Sequence, residues 1–258
     1  LAIARLVAEH KDAPNYFYPI TFLNQDAPRA ELSGFWLPLI GAYKSIPNDL
    51  SIGDPAHILI TGLNGGGKSF ALKGLLFTML MSHAFGYGPV KKGSMTFFNK
   101  IITHLSTTDN AAEGESCWIA EAKSMANAIH AMQAPHTLGD RILYIGDELG
   151  SGTASAASIQ AVASLMDIAL EQPHVASVIT THLRPLTELE YLTNGRIHNY
   201  RVGGTVSSDG VIDRKYQLER GRSDINIAEL IFNQEVDGNG QKTLTPGATH
   251  APVALAVA

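Results

Sequence analysis

The sequence predicts an α/β fold, because short apolar runs typical of buried parallel strands alternate with longer segments of helical periodicity. The apolar runs lie at 57–61, 141–146 and 177–181, and helices are predicted over 69–85, 116–132 and 155–171. A chain that alternates strand and helix forms a parallel sheet, so helices are expected on both faces of a mostly parallel sheet.

Further strands are predicted outside this alternation. Residues 94–105 are rich in β-prone side chains and indicate one or two strands. Near the end, 198–206 and 211–218 flank an Asp209-Gly210 pair, which is a typical hairpin turn, so a C-terminal β-hairpin is expected.

The chain is predicted to have three parts. Residues 1–30 are interpreted as the end of a preceding helical region followed by a linker, because 1–13 has helical character and prolines follow it. Residues 31–233 form the main domain. Residues 234–258 are rich in Gly, Pro, Thr and Ala and are predicted to be a disordered tail.

Composition narrows the class of protein. Hydrophobic residues make up 45% of the 258 residues and charged residues 17%, which suits a packed globular core. The net charge of −5 gives no overall attraction to nucleic acid. The single cysteine, Cys117, excludes an internal disulfide, and no apolar run reaches the ~18 residues of a membrane span. We therefore expect no membrane association and a cytoplasmic location, or a nuclear one in a eukaryote.

A glycine-rich segment directly follows the first apolar run and fits the pattern G-x-x-x-x-G-K-[ST] at every fixed position. The segment comprises Gly62, Leu63, Asn64, Gly65, Gly66, Gly67, Lys68 and Ser69. Glycines let backbone N–H groups turn toward phosphate oxygens, and the start of the next helix adds positive potential. Lys68 can reach the β- and γ-phosphates, and the Ser69 hydroxyl can bind Mg²⁺. This predicts a site for ATP and Mg²⁺. Phe70, the next residue, is counted among the predicted nucleotide-binding residues.

Acidic residues and a histidine follow two other apolar runs. Asp147 and Glu148 come directly after 141–146, where α/β proteins bind ligands at the carboxyl ends of strands. Beside a phosphate loop, the first acid is expected to hold Mg²⁺ and the second to orient the attacking water. His182 follows 177–181 and can contact the γ-phosphate or that water. A histidine at a strand end is more often structural, so its position after a second core strand is what favours this role.

Taken together, these segments resemble the ATPase domain of the MutS family of DNA mismatch repair proteins. The resemblance rests on the loop 62–69, the run 147–153 (Asp-Glu-Leu-Gly-Ser-Gly-Thr) and the pair Thr181-His182. Weaker similarity extends to 46–50, 109–121 and 221–230, so that about 30–232 is covered.

The resemblance implies an ABC-type P-loop ATPase that works as a dimer. Each ATP would lie between the P-loop of one subunit and a signature serine of the other, which here would be Ser116. Ser116 could equally cap its own helix and do nothing more. Residues 150–153 would lie at the dimer interface. The inferred partner is a second copy or a related chain, and DNA would be held by regions outside this chain.

Three positions depart from the family pattern. Phe70 stands where Thr is common, and its side chain is expected to pack inward. Ser151 stands where Arg is usual. The family often stacks an aromatic residue on adenine, for which Tyr43 and Ile46 are the candidates here. These departures suggest a divergent member.

Two functions remain open at this point. The first is ATP hydrolysis that drives a dimeric conformational cycle in mismatch repair or recombination, with Glu148, Lys68, His182 and Ser116 as the catalytic set. The second is a nucleotide-gated interaction module with slow or no turnover and no direct DNA role.

Overall fold

A computed structural model describes residues 16–62, 65–105, 117–151, 156–206 and 212–222, and two short strands at 234–236 and 242–244. These residues form a large central sheet, a smaller second sheet and the helices that pack on them. No helix in these ranges is long and apolar enough to cross a membrane.

The central sheet has six strands: β5 (His57–Thr61), β8 (Lys100–His104), β9 (Ile142–Gly146), β10 (Val175–Thr180), β11 (Ile197–Val206) and β12 (Ile212–Arg220). Their order in space is β12-β11-β5-β10-β9-β8. Every neighbouring pair is parallel except β11 and β12, which pair antiparallel. The predicted mostly parallel sheet and its final hairpin are therefore confirmed, while the Asp209-Gly210 turn lies outside the described residues.

Helices cover both faces of this sheet, as the alternation predicts. They are α1 (Lys68–Phe85), α2 (Cys117–Gln133), α3 (Ala156–Leu170) and the short α4 (Leu189–Leu192), with 3-10 turns at Pro38–Ile40 and Arg184–Glu188. Because side chains alternate along a strand, Ile58 and Ile60 of β5 pack in the same cluster as Leu72 of α1. Leu59 faces the other side and packs in the cluster that holds Met125 of α2 and Val162 of α3.

A second, four-stranded sheet was not predicted as a separate unit. Its strands are β2 (Thr21–Leu23), β3 (Ala30–Phe35), β4 (Asn48–Ile52) and β7 (Lys92–Thr96), in the order β2-β7-β3-β4, and a two-stranded ladder pairs β1 (Tyr18–Pro19) with β6 (Tyr87–Gly88). Buried and exposed residues alternate along β4, so one face of the sheet packs inward. Leu32 and Leu50 from this face share a core cluster with Leu75 of α1. The region 94–105 thus divides between two sheets.

Two boundaries of the predicted domain division need correction. The linker assigned to 1–30 is wrong from residue 16 onward, because β2 pairs with β7 and Phe17 is buried beside Trp36. These residues belong to the same folded unit as the rest of the domain. The disordered tail is wrong for β13 (Gln234–Val236) and β14 (Lys242–Leu244), which pair antiparallel. The helix predicted over 1–13 lies outside the described residues.

Arg141 joins the two sheets through four backbone carbonyl groups. Its guanidinium donates to the carbonyls of Gln25 and Asp26 in the loop before β3, to Phe97 after β7, and to Gly139. A planar guanidinium with five N–H donors suits such multiple bonding.

We expect Arg141→Ala to lower the free energy of unfolding by roughly 1–3 kcal/mol, because several charge-assisted hydrogen bonds are lost together. Urea denaturation measures the change. Lys100→Ala is the control, because Lys100 is an exposed cation on the neighbouring strand β8. Equal stability of the two variants would contradict a stabilising role for Arg141.

Candidate functional site

The candidate site lies where three adjacent strands of the central sheet end. β5, β10 and β9 are neighbours and parallel, so their carboxyl ends meet at one edge. The glycine-rich loop follows β5, Asp147 and Glu148 follow β9, and His182 follows β10. Three segments that are far apart in the sequence are thus brought together, as predicted from their positions after apolar runs.

The glycine-rich loop has the backbone that its glycines permit. The backbone φ angles of Gly62, Gly65 and Gly67 are 145°, 69° and 102°, and residues that carry a side chain rarely adopt these values. Gly67 is the N-cap of α1, so the free N–H groups of the helix start point toward the loop. Leu63 and Asn64 lie outside the described residues. The described part of the loop can accommodate an anion at the helix N-terminus.

Lys68, the first residue of α1, is buried within this loop. Its Nζ donates to the carbonyl oxygen of Gly62 at 2.9 Å. Burial lowers the pKa of Lys68 to about 8, and the nearby carboxylates of Glu148 and Asp147 oppose that shift. A buried ammonium of this kind is poorly solvated, so an anion that enters the loop would gain a strong partner.

Two oxygen atoms that suit a magnesium ion lie side by side. The Ser69 hydroxyl donates to Asp147 Oδ1 at 3.0 Å. Mg²⁺ binds through a hydroxyl or one or two carboxylates together with phosphate and water, so Ser69 and Asp147 fit such a site. Among the described residues there is no cluster of three or more His, Cys, Asp or Glu side chains that could hold a metal. The Ser69 hydroxyl and the Asp147 carboxylate are two oxygen donors that the described residues offer at this point of the site.

Thr180 is a site residue that the sequence analysis missed. Its hydroxyl donates to Asp147 Oδ1 at 2.7 Å and accepts the backbone N–H of Glu148 at 2.7 Å. It therefore fixes the Asp147 carboxylate and the backbone of the neighbouring acid at once. Its position at the end of β10, two residues before His182, was the available signal.

His182 lies between Lys68 and Glu148. Its Nδ1 is 3.4 Å from Lys68 Nζ, and its Nε2 is 3.4 Å from Glu148 Oε1. An ammonium can only donate, so these partners favour the neutral tautomer that carries its proton on Nε2. Burial and the Lys68 charge lower the pKa of His182, and Glu148 opposes the shift. His182 is therefore neutral at pH 7 and links the loop lysine to the second acid.

An apolar cavity of about 220 Å³ opens beside the loop. Ile46 and Phe70 line it, so Ile46 stays a candidate for contact with a base. Phe70 does not pack inward as expected, because its side chain is 53% exposed at this cavity. Tyr43 is 80% exposed and is not among the lining residues.

Tyr216 also lines the cavity, and no pattern in the sequence predicted it. It lies in an irregularity of the hairpin, where one residue of β11 between Val202 and Gly204 faces three residues of β12. Tyr216 has a φ of 55°, and a Cβ on Gly67 would lie 2.9 Å from its ring. The bulge thus places an aromatic ring directly against the glycine-rich loop.

The remaining predicted residues are only partly described. Ser116 lies outside the described residues, which resume with Cys117 at the start of α2. Of the interface segment 150–153, Gly150 and Ser151 are described and Gly152 and Thr153 are not. The roles of these residues stay predictions.

Comparison with known proteins identifies the relatives of this chain. The sequence profile of MutS domain V matches residues 58–234. The DNA mismatch repair protein MutS of Lactococcus lactis subsp. cremoris (strain SK11) is 30% identical over 190 residues, which cover 70% of this chain and 22% of that protein. The protein of the same name from Streptococcus pneumoniae serotype 19F (strain G54) is 30% identical over 198 residues, or 74% of this chain and 22% of that protein.

A third relative covers more of the chain. The DNA mismatch repair protein MutS of Finegoldia magna is 28% identical over 222 residues, which are 84% of this chain and 24% of that protein. This chain therefore spans less than a quarter of the length of the three relatives.

Proposed function

Because the chain belongs to the MutS family, through its domain V, we propose that it binds ATP with Mg²⁺ and hydrolyses it to ADP and phosphate. The observation that carries this proposal is the convergence at one sheet edge. There Lys68 is joined through His182 to Glu148, while Ser69 is hydrogen-bonded to Asp147. This arrangement supports a site in which Lys68 binds phosphate, Ser69 and Asp147 bind Mg²⁺, and Glu148 orients water.

Each side chain has one role in the proposed reaction. Lys68 and the N–H groups at the start of α1 bind the β- and γ-phosphates. Ser69 and Asp147 hold Mg²⁺, which neutralises charge on the phosphate oxygens when bound. Glu148 accepts a hydrogen bond from the attacking water and orients it toward the γ-phosphorus. His182 donates its Nε2 proton to Glu148 and keeps that carboxylate in place, while its Nδ1 accepts from Lys68 beside the γ-phosphate region.

The apolar cavity is proposed to hold the base of the nucleotide. Ile46, Phe70 and Tyr216 line it next to Gly67, which belongs to the phosphate-binding loop. Aromatic and aliphatic side chains with few polar groups are typical of such pockets. Phe70, which stands where the family commonly has Thr, lines this pocket, and we take this as support for a divergent position within the family.

The affinity for ATP should depend on pH through Lys68. The pKa of Lys68 without nucleotide is about 8, and bound phosphates stabilise the ammonium and raise that pKa. Affinity is therefore constant below pH 8 and falls as the pH rises through 8, by up to about tenfold per pH unit, until the pKa of the complex is reached.

Isothermal titration calorimetry at saturating Mg²⁺ between pH 7.5 and 9.5 measures this dependence. Two buffers of different ionisation enthalpy also report the proton that binding takes up. An affinity that stays constant over this range, with no proton uptake, would contradict the assignment.

Dimerisation and a role in DNA mismatch repair are proposed from the relatives. They are named DNA mismatch repair proteins, and they extend well beyond the region that this chain matches. We propose a dimer in which Ser116 of one subunit completes the ATP site of the other. DNA contact is assigned to regions outside this chain, because the net charge of −5 gives no general attraction to DNA.

The test is phosphate release from ATP by the purified chain with Mg²⁺, compared with the same reaction in excess EDTA. Binding of a fluorescent ATP analogue and the mass in solution are measured in parallel. Turnover that requires Mg²⁺ supports the ATPase. ATP binding and dimerisation without phosphate release would favour the nucleotide-gated interaction module instead.

A further inference from the structure

The loop that carries Glu148 is held by hydrogen bonds from five successive backbone N–H groups. The acceptors of residues 147–151 are, in order, His104 O, Thr180 Oγ1, Thr180 O, Glu121 Oε1 and Glu148 O. Four of these acceptors lie within the loop or on the strands β8 and β10 beside it. The fourth N–H, that of Gly150, is different, because its acceptor is a side chain of helix α2.

This loop has an unfavourable backbone that needs such support. Glu148 has a φ of 55°, in the left-handed region that side chains other than glycine seldom occupy. Gly150 has a φ of 79°, and a Cβ there would lie 2.3 Å from Leu183 Cδ1. The direction of the Glu148 side chain therefore depends on contacts that keep the loop in this conformation.

Glu121, which accepts the Gly150 N–H, is an unusual residue to find at a buried position. Its side chain is buried, with 7% of the residue exposed, and a buried carboxylate is unfavourable unless it is well paired. Its Oε2 has no hydrogen-bond partner among the residues that the structure describes. The Tyr144 phenol lies close by, and burial, followed by the Glu121 charge, raises the pKa of that phenol. An apolar residue would suit this cluster better if packing were its only purpose.

We propose that Glu121 is a positioning residue for hydrolysis. Its hydrogen bond to the Gly150 N–H holds the loop so that Glu148 stays directed at the water site. Because Glu121 belongs to α2, a shift of that helix is transmitted to Glu148. The seating of α2 on the sheet thereby controls the rate of hydrolysis. This inference rests on the proposed ATPase function.

Three substitutions at Glu121 separate positioning from general stability. Glu121→Gln retains an acceptor oxygen at the same reach, whereas Glu121→Asp is one methylene too short and Glu121→Ala has no acceptor. Asn127→Ala, at an exposed position of the same helix, is the control. Steady-state ATP hydrolysis and thermal denaturation are measured for all four variants.

We expect kcat to fall about 10- to 100-fold in the Ala and Asp variants, because a displaced catalytic group loses rate steeply. The KM for ATP should stay within about threefold of the wild type, since the phosphate loop is untouched. The Gln variant should keep kcat within about twofold. If the Glu121→Ala variant folds poorly, the difference in kcat between Glu121→Asp and Glu121→Gln provides the same test.

Amide hydrogen exchange across 147–151 provides a readout that does not depend on turnover. Exchange at Gly150 should speed up at least about tenfold in the Ala and Asp variants and stay unchanged in the Gln variant. A wild-type kcat in the Asp variant, or a kcat of the Gln variant as low as that of Ala, would overturn the proposal. If the wild type shows no turnover, the proposed ATPase function is wrong. Unchanged amide exchange at Gly150 in the Glu121→Asp variant would separately refute the role of the Glu121 hydrogen bond in holding the loop.

Discussion

Replacing Glu148 with Gln is expected to stop ATP hydrolysis while ATP binding persists. The rate should fall by roughly 10²–10⁴-fold, the usual contribution of a positioned acid–base group. The amide has nearly the shape of the carboxylate, so the contact with His182 Nε2 at 3.4 Å can remain. The phosphate loop, Ser69 and Asp147 are unchanged, and the affinity for ATP should stay within about threefold of that of the wild type. Phosphate release and equilibrium binding of ATP measure the two quantities.

The matched control is Glu171→Gln, which makes the same chemical change at an exposed position beyond the end of α3. It should hydrolyse ATP at the wild-type rate. If the ATP-bound state is the dimeric one, the Glu148→Gln variant should also accumulate as a dimer in ATP, which light scattering reports. Hydrolysis by Glu148→Gln at half the wild-type rate or more would remove Glu148 from the mechanism.

The central sheet could be predicted because its strands have a strong local signal. β5, β9 and β10 are buried along their whole length, so each reads as a mostly apolar run. The chemistry follows from their parallel arrangement. Residues that follow such strands share one edge of the sheet, and this is why Lys68, Asp147 and His182 could be grouped from the sequence.

The parts that could not be predicted depend on contacts between distant segments. Tyr216 reaches the glycine-rich loop only because a bulge in β12 turns its backbone to a φ of 55°. The second sheet joins β2 and β7, which are some 70 residues apart and carry mixed polar and apolar side chains. Phe70 lies two residues after the buried Lys68 at the start of α1, yet its ring lines an open cavity. No short-range pattern encodes any of these three.

Glu121 illustrates the same limit inside the site. Its place on a helix face could be read from the sequence, but its hydrogen bond depends on Gly150, 29 residues further along. Gly150 in turn depends on Leu183, which leaves no room for a side chain there. These contacts among Glu121, Gly150 and Leu183 form only when α2, the loop after β9 and the turn after β10 come together in the folded chain.

The second large effect is expected at Lys68. Lys68→Ala removes the ammonium that is held at 2.9 Å from the Gly62 carbonyl and 3.4 Å from His182. Charge-assisted hydrogen bonds contribute about 1.5–3 kcal/mol each, and Lys68 is assigned contacts with two phosphates. We expect the affinity for ATP to fall at least about 100-fold, with no measurable turnover.

Loss of ATP binding could also follow from unfolding, and the structure offers a way to separate the two. Burial of Lys68 makes its charge unfavourable without nucleotide, as its pKa of about 8 indicates, so Lys68→Ala should fold at least as stably as the wild type. Lys73→Ala, one turn later on the exposed side of α1, should bind and hydrolyse ATP normally. Fluorescent-nucleotide titration and thermal denaturation of both variants provide the measurement. Tight ATP binding by a folded Lys68→Ala variant would mean that the glycine-rich loop is not the phosphate site.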